Sequence, residues 1–530
     1  MDLSRRSFFA GALCAGGAAL AGLAGCAPSS TEASADQGTL AGTGANQEAP
    51  THNPISTEQA DVVIVGSGTA GTVAACRAAE LGLSVICLEK NSGLGGTSAV
   101  AEGFCGIGSK AQAAQNITVD PNAVVADTLA YHHYGCLGPV VRAFADNSGA
   151  TIDWLEDHGT AWASIAALGD SYQVWHLPAD ESGMPTHVGD VLSVIQPAAE
   201  ELGVQFRIST PFTGLRVEDG CVTGVYAEGS DGEILIESRA VILASGGYAN
   251  NQGMFEKFTG RPYANVHVWG MEGRDGDGIA HAVAEAGADT HHPEAVMWHT
   301  GMLDGTSAFS DIPNYIVTMQ PTMRVNEAGI RYFNEAATSD FTAVGNVLTT
   351  NAANFAIFDD AFIDHIETAG PWMPMPNLGA FAGQPYACRE GLLTCEGLVQ
   401  ADSIEELARA LGLDSATLAA TVERFNGFCA AGADEDYGLP ANMLLPVSTP
   451  PFYGARITPT LFTTVGGLRV NDRMQVMGTD GSPIEGLFAA GGDAAGLYGA
   501  NYDVDVCSGS QQGWAATSGR LAAEAAAAQK

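Results

Sequence analysis

Three glycines, Gly66, Gly68 and Gly71, stand in the stretch "VVIVGSGTAGTVAACRAAELGLSVICLEK", with Glu89 near its end. Their G-x-G-x-x-G spacing suits one task, the close holding of a dinucleotide pyrophosphate. The first glycine permits a tight turn, the second lets backbone approach the phosphates, and the third lets a helix pack on a strand. The helix start beyond them offers unpaired N–H groups to the phosphates. The Glu89 carboxylate is placed to accept from ribose hydroxyls. That chemistry demands strand, turn, helix and strand in this order. Val62 to Val65 is a short apolar run of the kind that forms a buried parallel strand. Residues 72–81 form a small-residue helix, and "LSVICLEK" is a second strand ending in Glu89. The glycines therefore sit where the chemistry needs them, which a lone motif does not guarantee.

The chain has 530 residues, enough for two or three domains with sizeable cores. A formal net charge of -38 repels phosphate backbones and argues against nucleic acid as a partner. None of the 11 cysteines forms CxxC or CxxCH, so zinc, iron–sulfur and covalent c-type haem have no signature, and no metal site is expected. Scattered cysteines in apolar contexts such as "SVICLEK" read as buried thiols rather than bridges. At the N-terminus, Arg5 and Arg6 precede an apolar run that ends at Leu23-Ala24-Gly25-Cys26. Residues 1–25 read as a twin-arginine secretory signal, too short to span a bilayer, with Cys26 as an acylated mature N-terminus. Residues 26–58 lack an apolar period and read as a disordered tether. The expected location is the extracytoplasmic face of the cell membrane, held by lipid at Cys26. The twin-arginine route exports folded proteins, which suits a chain loaded with a cofactor inside the cell.

Further motifs follow in order: "EKNSGLGGTS", "AVILASGGYANN", "GRDGDGIAHAVAEAGAD", "RVNEAGIRYFNE" and "IEGLFAAGGDAAG". Together they resemble the flavoprotein family of soluble fumarate reductases, urocanate reductases and 3-ketosteroid dehydrogenases, over residues 60–525. The resemblance implies an α/β fold: a Rossmann-like FAD-binding domain of residues 59–290 plus 464–530, with an inserted α+β capping domain, 291–463. It implies FAD, held non-covalently. The implied cofactor contacts are Gly66, Gly68, Ala70, Gly71, Glu89, Lys90, Gly95, Gly96, Thr97, Ser98 and Gly103 in the first half. In the second half they are Ala244, Gly246, Gly247, Asp277, Asp493, Ser508, Gly509 and Ser510. The segment "SGSQQG" would place N–H groups of Gly509 and Ser510 at a helix start beside the flavin. Within the capping domain, "DSIEELARALGLDSATLAATVERFNGFC" shows helical spacing, with Ser403 and Ser415 as N-caps and Gly412 as a stop.

The family's dicarboxylate site is where the pattern breaks. Its first substrate histidine falls on His299 in "VMWHTG", with His292 in "HHP" as a competing match. The position of its proton-donating arginine holds Ser339. Its second histidine is replaced by Thr463, and no basic residue stands between Asp493 and Arg520. A buried carboxylate without paired cations costs several kcal/mol. The substrate is therefore expected to be a small molecule that is neutral or carries a cationic group. The ketosteroid branch moves protons with tyrosines, which makes Tyr315, Tyr498 and Tyr502 the candidates. Arg324 is a possible replacement cation. The expected activity is reduction of an activated C=C bond in an enone-like substrate, with electrons from a separate membrane or extracytoplasmic cytochrome or quinol donor. The alternatives are a ketosteroid-type dehydrogenase and a fumarate reductase with a rearranged carboxylate site.

Overall fold

The computed structural model describes residues 52–529, apart from 170, 307–310 and 376–377. The signal peptide, Cys26 and most of the tether lie outside the described residues. The tether's last residues do not behave as a tether. His52 stacks on Tyr226 at 3.7 Å and pairs with Glu233 at 2.6 Å, and Ser56–Gln59 forms a strand parallel to Gly232–Glu237. Backbone pairing supplies this order, so no apolar period was needed to announce it.

A six-stranded sheet carries the glycine motif. Its order is Gln475–Met477, Pro483–Ala489, Ala240–Leu243, Val62–Val65, Val85–Leu88 and Gln205–Arg207, and every pairing beyond the first is parallel. Strands Val62–Val65, Val85–Leu88 and Ala240–Leu243 are buried along their whole length, as a sheet covered on both faces requires. Helix Thr69–Glu80 begins three residues earlier than the sequence suggested, directly after Gly68. It packs backbone to backbone on the C-terminal helix Ser510–Ala528. A Cβ on Gly519 would stand 2.3 Å from the Ala70 carbonyl oxygen. The small side chains of both helices allow that approach.

A second layer holds the cap. Strand Phe452–Thr464 is its spine, paired antiparallel with Val296–Leu303, Asn354–Asp359 and Leu398–Ala401, and parallel with His267–Val268. His267–Val268 thus joins the cap sheet from within segment 59–290. The helix pair of the cap starts as the sequence suggests at Ser403, whose hydroxyl accepts from the Glu406 amide, and stops at left-handed Gly412. The second helix is capped by Asp414, not Ser415. Its carboxylate accepts from the Thr417 amide, and Ser415 is the first helical residue. All nine described cysteines are free thiols, six of them buried.

Candidate active site

The strand ends, the C-terminal helix start and the cap enclose one cleft, with about 1660 Å³ of empty volume including its open mouth. One end is built from the glycine motif. Gly71 is a packing glycine, because a Cβ there would stand 1.8 Å from the Gly66 carbonyl oxygen. Gly66 has φ +101°, and its Cβ would stand 2.4 Å from the Ala244 carbonyl oxygen. Helix Thr69–Glu80 has neither a side-chain cap nor an acidic residue in its first turn. Helix Ser510–Ala528 starts in the same way at left-handed Gly509. Two helix starts free of acidic side chains at one cleft form a favourable anion environment, with the Thr69 amide already donating to Ser98 Oγ at 3.1 Å. Beside Gly96 a Cβ would meet no protein atom within 4 Å, so a ligand can lie against its backbone.

Of the implied cofactor contacts, Gly66, Gly68, Ala70, Glu89, Lys90, Gly96, Thr97, Ser98, Gly103, Ala244, Gly246, Asp277 and Gly509 line the cleft. Glu89 accepts from the Ser67 amide at 3.1 Å, the Ser67 hydroxyl at 2.7 Å and the Asn91 amide at 2.8 Å. Lys90 Nζ bridges Asp275 at 2.6 Å and Asp277 at 2.7 Å. Gly71, Gly95, Gly247, Asp493, Ser508 and Ser510 stand behind the cleft wall. Asp493 is fully buried, and its carboxylate accepts from the Ser245 amide and hydroxyl and the Gly247 amide, at 2.6, 2.8 and 2.9 Å. It shapes the 245–247 turn rather than facing a ligand. Ser508 pairs with the Ser171 hydroxyl at 2.9 Å and accepts from the Leu168 amide. Ser510 donates to Asp503 at 2.7 Å.

The cap side of the cleft is aromatic. Met297, Phe341, Met375, Phe462 and Thr463 line it from the cap, with Trp269 beside the cap sheet, while Trp175 and Tyr502 line the cleft from the FAD-binding segments. His299 does not reach it. It is fully buried, stacked on Phe462 (4.7 Å, 18°) and tilted against Phe341 (4.7 Å). Burial pushes its imidazole down to about 3, so it is neutral and supports the Phe462 wall from behind. The competing histidine, His292, pairs with Glu294 and with the Gly135 carbonyl. Tyr315 is also removed from the cleft, its hydroxyl donating to the Met373 carbonyl at 2.5 Å. Ser339 ends the turn Glu335–Ser339, and its side chain lies outside the described residues. Arg324 is fully buried and donates to the carbonyls of Val317 and Thr318, both at 2.8 Å, and to the Thr322 hydroxyl at 3.1 Å. It caps the end of helix Ile312–Met319 and offers no charge to the cleft.

Tyr502 is the candidate tyrosine that lines the cleft; Tyr498 lies behind it, with ring centroids 5.6 Å apart. Burial holds the Tyr502 phenol well above its ordinary value, so it keeps its proton at neutral pH.

Residues 61–504 match the family described as FAD binding domain. The chain belongs to that flavoprotein family. This flavoprotein is 33% identical to the vinyl phenol reductase of Lactiplantibacillus plantarum over 476 residues, covering 87% of its own length and 94% of the relative. It is 28% identical to the fumarate reductase (cytochrome) of Shewanella frigidimarina, covering 88% of its own length and 77% of the relative. Its fold resembles a Rhodococcus jostii 3-ketosteroid-Δ4-(5α)-dehydrogenase solved with 4-androstene-3,17-dione, with a TM-score of 0.70 and 26% identity, over 89% of this chain and 97% of that one. The flavoprotein's cofactor is FAD, and the expected α/β fold with a cap is the one observed. The residues fit that cofactor. The glycine turn and Glu89 suit its adenosine and pyrophosphate end, and the uncapped start of helix Ser510–Ala528 suits the electron-rich edge of a reduced flavin.

Sequence reasoning missed the aromatic cleft residues Trp175, Trp269, Phe341 and Phe462, and one arginine of the flavoprotein. Arg274, in "GRDGDG", is only 5% exposed and lines the cleft. Its guanidinium donates to the carbonyls of Phe462 and Trp269 (2.8 Å to the latter) and to Asn250 Oδ1 at 3.0 Å. Burial lowers it to about 10, which leaves it cationic at neutral pH. It holds two aromatic walls in place. The signal was present in the sequence, since an arginine directly ahead of a GDG turn sits at the ligand end of a helix start. Without the fold, nothing showed which way it pointed.

Proposed function

We propose that this flavoprotein reduces the C=C bond of a neutral, aryl-conjugated alkene, using electrons from a separate donor. The observation that carries the reading is the aromatic lining of the cleft, with Tyr502 among the residues that line it. A flat apolar ring can lie against the Trp269, Phe341 and Phe462 surfaces, and the identity shared with a vinyl phenol reductase supports the same class. When bound, FAD supplies the hydride. Tyr502 supplies the proton to the other alkene carbon and leaves a tyrosinate to be reprotonated. The aromatic walls orient the alkene and exclude water from the reacting carbons. Burial keeps the Tyr502 phenol protonated at neutral pH, so the proton is in place before the alkene binds.

The test is anaerobic reoxidation of the dithionite-reduced holoprotein. Vinyl phenol and a neutral enone of similar size are expected to reoxidise it, and fumarate and urocanate to lag. Among the described residues the cleft's cations are Arg274, already hydrogen-bonded to two carbonyls and an amide, and Lys90, already paired with Asp275 and Asp277. Inadequate pairing costs on the order of 3 kcal/mol, or about a hundredfold in affinity. Fumarate turnover at ordinary enzymatic rates, roughly 1–10³ s⁻¹, overturns the reading and points to Arg274 as carboxylate ligand.

The same proposal places the protein outside the cytoplasm, tied to the membrane by lipid at Cys26 and supplied by a cytochrome or quinol system there. Among the described residues no helix is long and apolar enough to cross a membrane. Cys26→Ser is expected to release the protein from the membrane fraction or leave the precursor uncleaved, since a lipoprotein's acyl chains anchor stably together. Unchanged fractionation of the variant counts against the lipid anchor.

A further inference from the structure

Behind Tyr502 lies a chain of buried polar groups that the reaction as described does not use. Tyr498 Oη donates to Ser510 Oγ at 3.0 Å, and Ser510 Oγ donates to Asp503 Oδ1 at 2.7 Å. The Tyr502 phenol also lies against the Ser510 hydroxyl and the Gln511 backbone. The other carboxylate oxygen, Asp503 Oδ2, stands 4.0 Å from His132 Nε2. That imidazole is buried, and its neighbours His133 and Tyr134 are exposed. Asp503 itself is 2% exposed. A carboxylate so placed needs either a cation or a proton.

No cation faces it. The titratable groups set around Asp503 are Tyr131, His132 and Cys136 from the segment 131–136, and Tyr498, Tyr502 and Cys507 from its own loop. All are neutral at pH 7. Burial pushes the tyrosines and thiols up, and His132 down to about 4. Beyond Tyr131 stands a further acid, Asp340, which accepts from the Tyr131 hydroxyl at 3.1 Å.

We propose that Asp503 is the proton reservoir for alkene reduction, reprotonating Tyr502 through the Ser510 hydroxyl. The proposal rests on the alkene-reductase reading above. Once Tyr502 has given its proton to the alkene carbon, the Ser510 O–H breaks toward the tyrosinate oxygen, and the Asp503 O–H breaks toward Ser510 Oγ. The net result is one proton moved from Asp503 to Tyr502, with no redox change. Solvent then returns a proton to Asp503 from the His132 side. Burial raises the Asp503 carboxyl to about 7, so the reservoir is filled below neutrality and emptied above it.

Two measurements on the holoprotein test this. Infrared difference spectra across neutral pH are expected to show a protonated-carboxyl C=O band that titrates near neutrality and disappears in Asp503→Asn. Reoxidation of the reduced wild type by vinyl phenol is expected to slow as pH rises through the same range. In Asp503→Asn the rate falls by about tenfold or more and this pH limb vanishes, while Asp503→Glu restores both in part. A band that is absent at neutral pH overturns the proposal. So does an Asn variant that folds, binds FAD and keeps the wild-type pH limb. If no alkene reoxidises the wild type, the functional reading is what has failed, and the infrared band still decides whether Asp503 carries a proton.

Discussion

Under the proposed function, Tyr502→Phe is expected to slow alkene reduction by about 10²–10⁴-fold, the usual contribution of a positioned general acid. The reason is geometric. Tyr502 is the one candidate tyrosine whose side chain lines the cleft, whereas Tyr315 is tied to Met373 and Tyr498 to Ser510. Phenylalanine keeps the ring that packs near Tyr498, so FAD content and melting temperature are expected to hold. Single-turnover reoxidation of the reduced variant is the measurement that checks it. Tyr498→Phe in parallel is expected to cost much less, because its hydroxyl only steadies Ser510. A Tyr502→Phe enzyme as fast as wild type would move the proton donor elsewhere.

Gly71→Val abolishes FAD retention and lowers the yield of folded protein. The Cβ would stand 1.8 Å from a backbone oxygen, that of Gly66, and backbone on both sides cannot swing away as a side-chain end can. Forcing methyl groups into a packed site costs about 1–3 kcal/mol where neighbours can give, and here they cannot, so the cost exceeds that range. Relief comes only by separating helix Thr69–Glu80 from strand Val62–Val65, which opens the phosphate turn. The readout is the ratio of flavin to protein absorbance together with the melting temperature. Gly93→Ala is the control, since a Cβ there meets nothing within 4 Å. Full FAD occupancy in the valine variant would show that the helix and strand are not held that closely.

Much of this protein was legible in its sequence because the signals are local. The run Val62–Val65, the three glycines, Glu89 and the second strand lie within about one βαβ unit, and each constrains its neighbours sterically. Thr463, which the motifs singled out, is a cleft residue. The catalytic side was less legible. His299, which its motif suggested as the family's histidine ahead of His292, is buried by a strand in the cap behind Phe462, and burial leaves it neutral. Arg324 looked like a spare cation, but it is consumed by the carbonyls that end a helix. Arg274 looked unremarkable in sequence and lines the cleft. Asp493, placed beside a cofactor by its motif, braces a backbone turn instead. What the sequence determined by itself was the dinucleotide cradle, because turn geometry and backbone clearance are set within a few residues. What only the tertiary structure decided was which polar side chains face the cleft and which are spent on packing, because that choice depends on how separate elements pack, with partners from two residues away for Arg324 to 248 for Asp493.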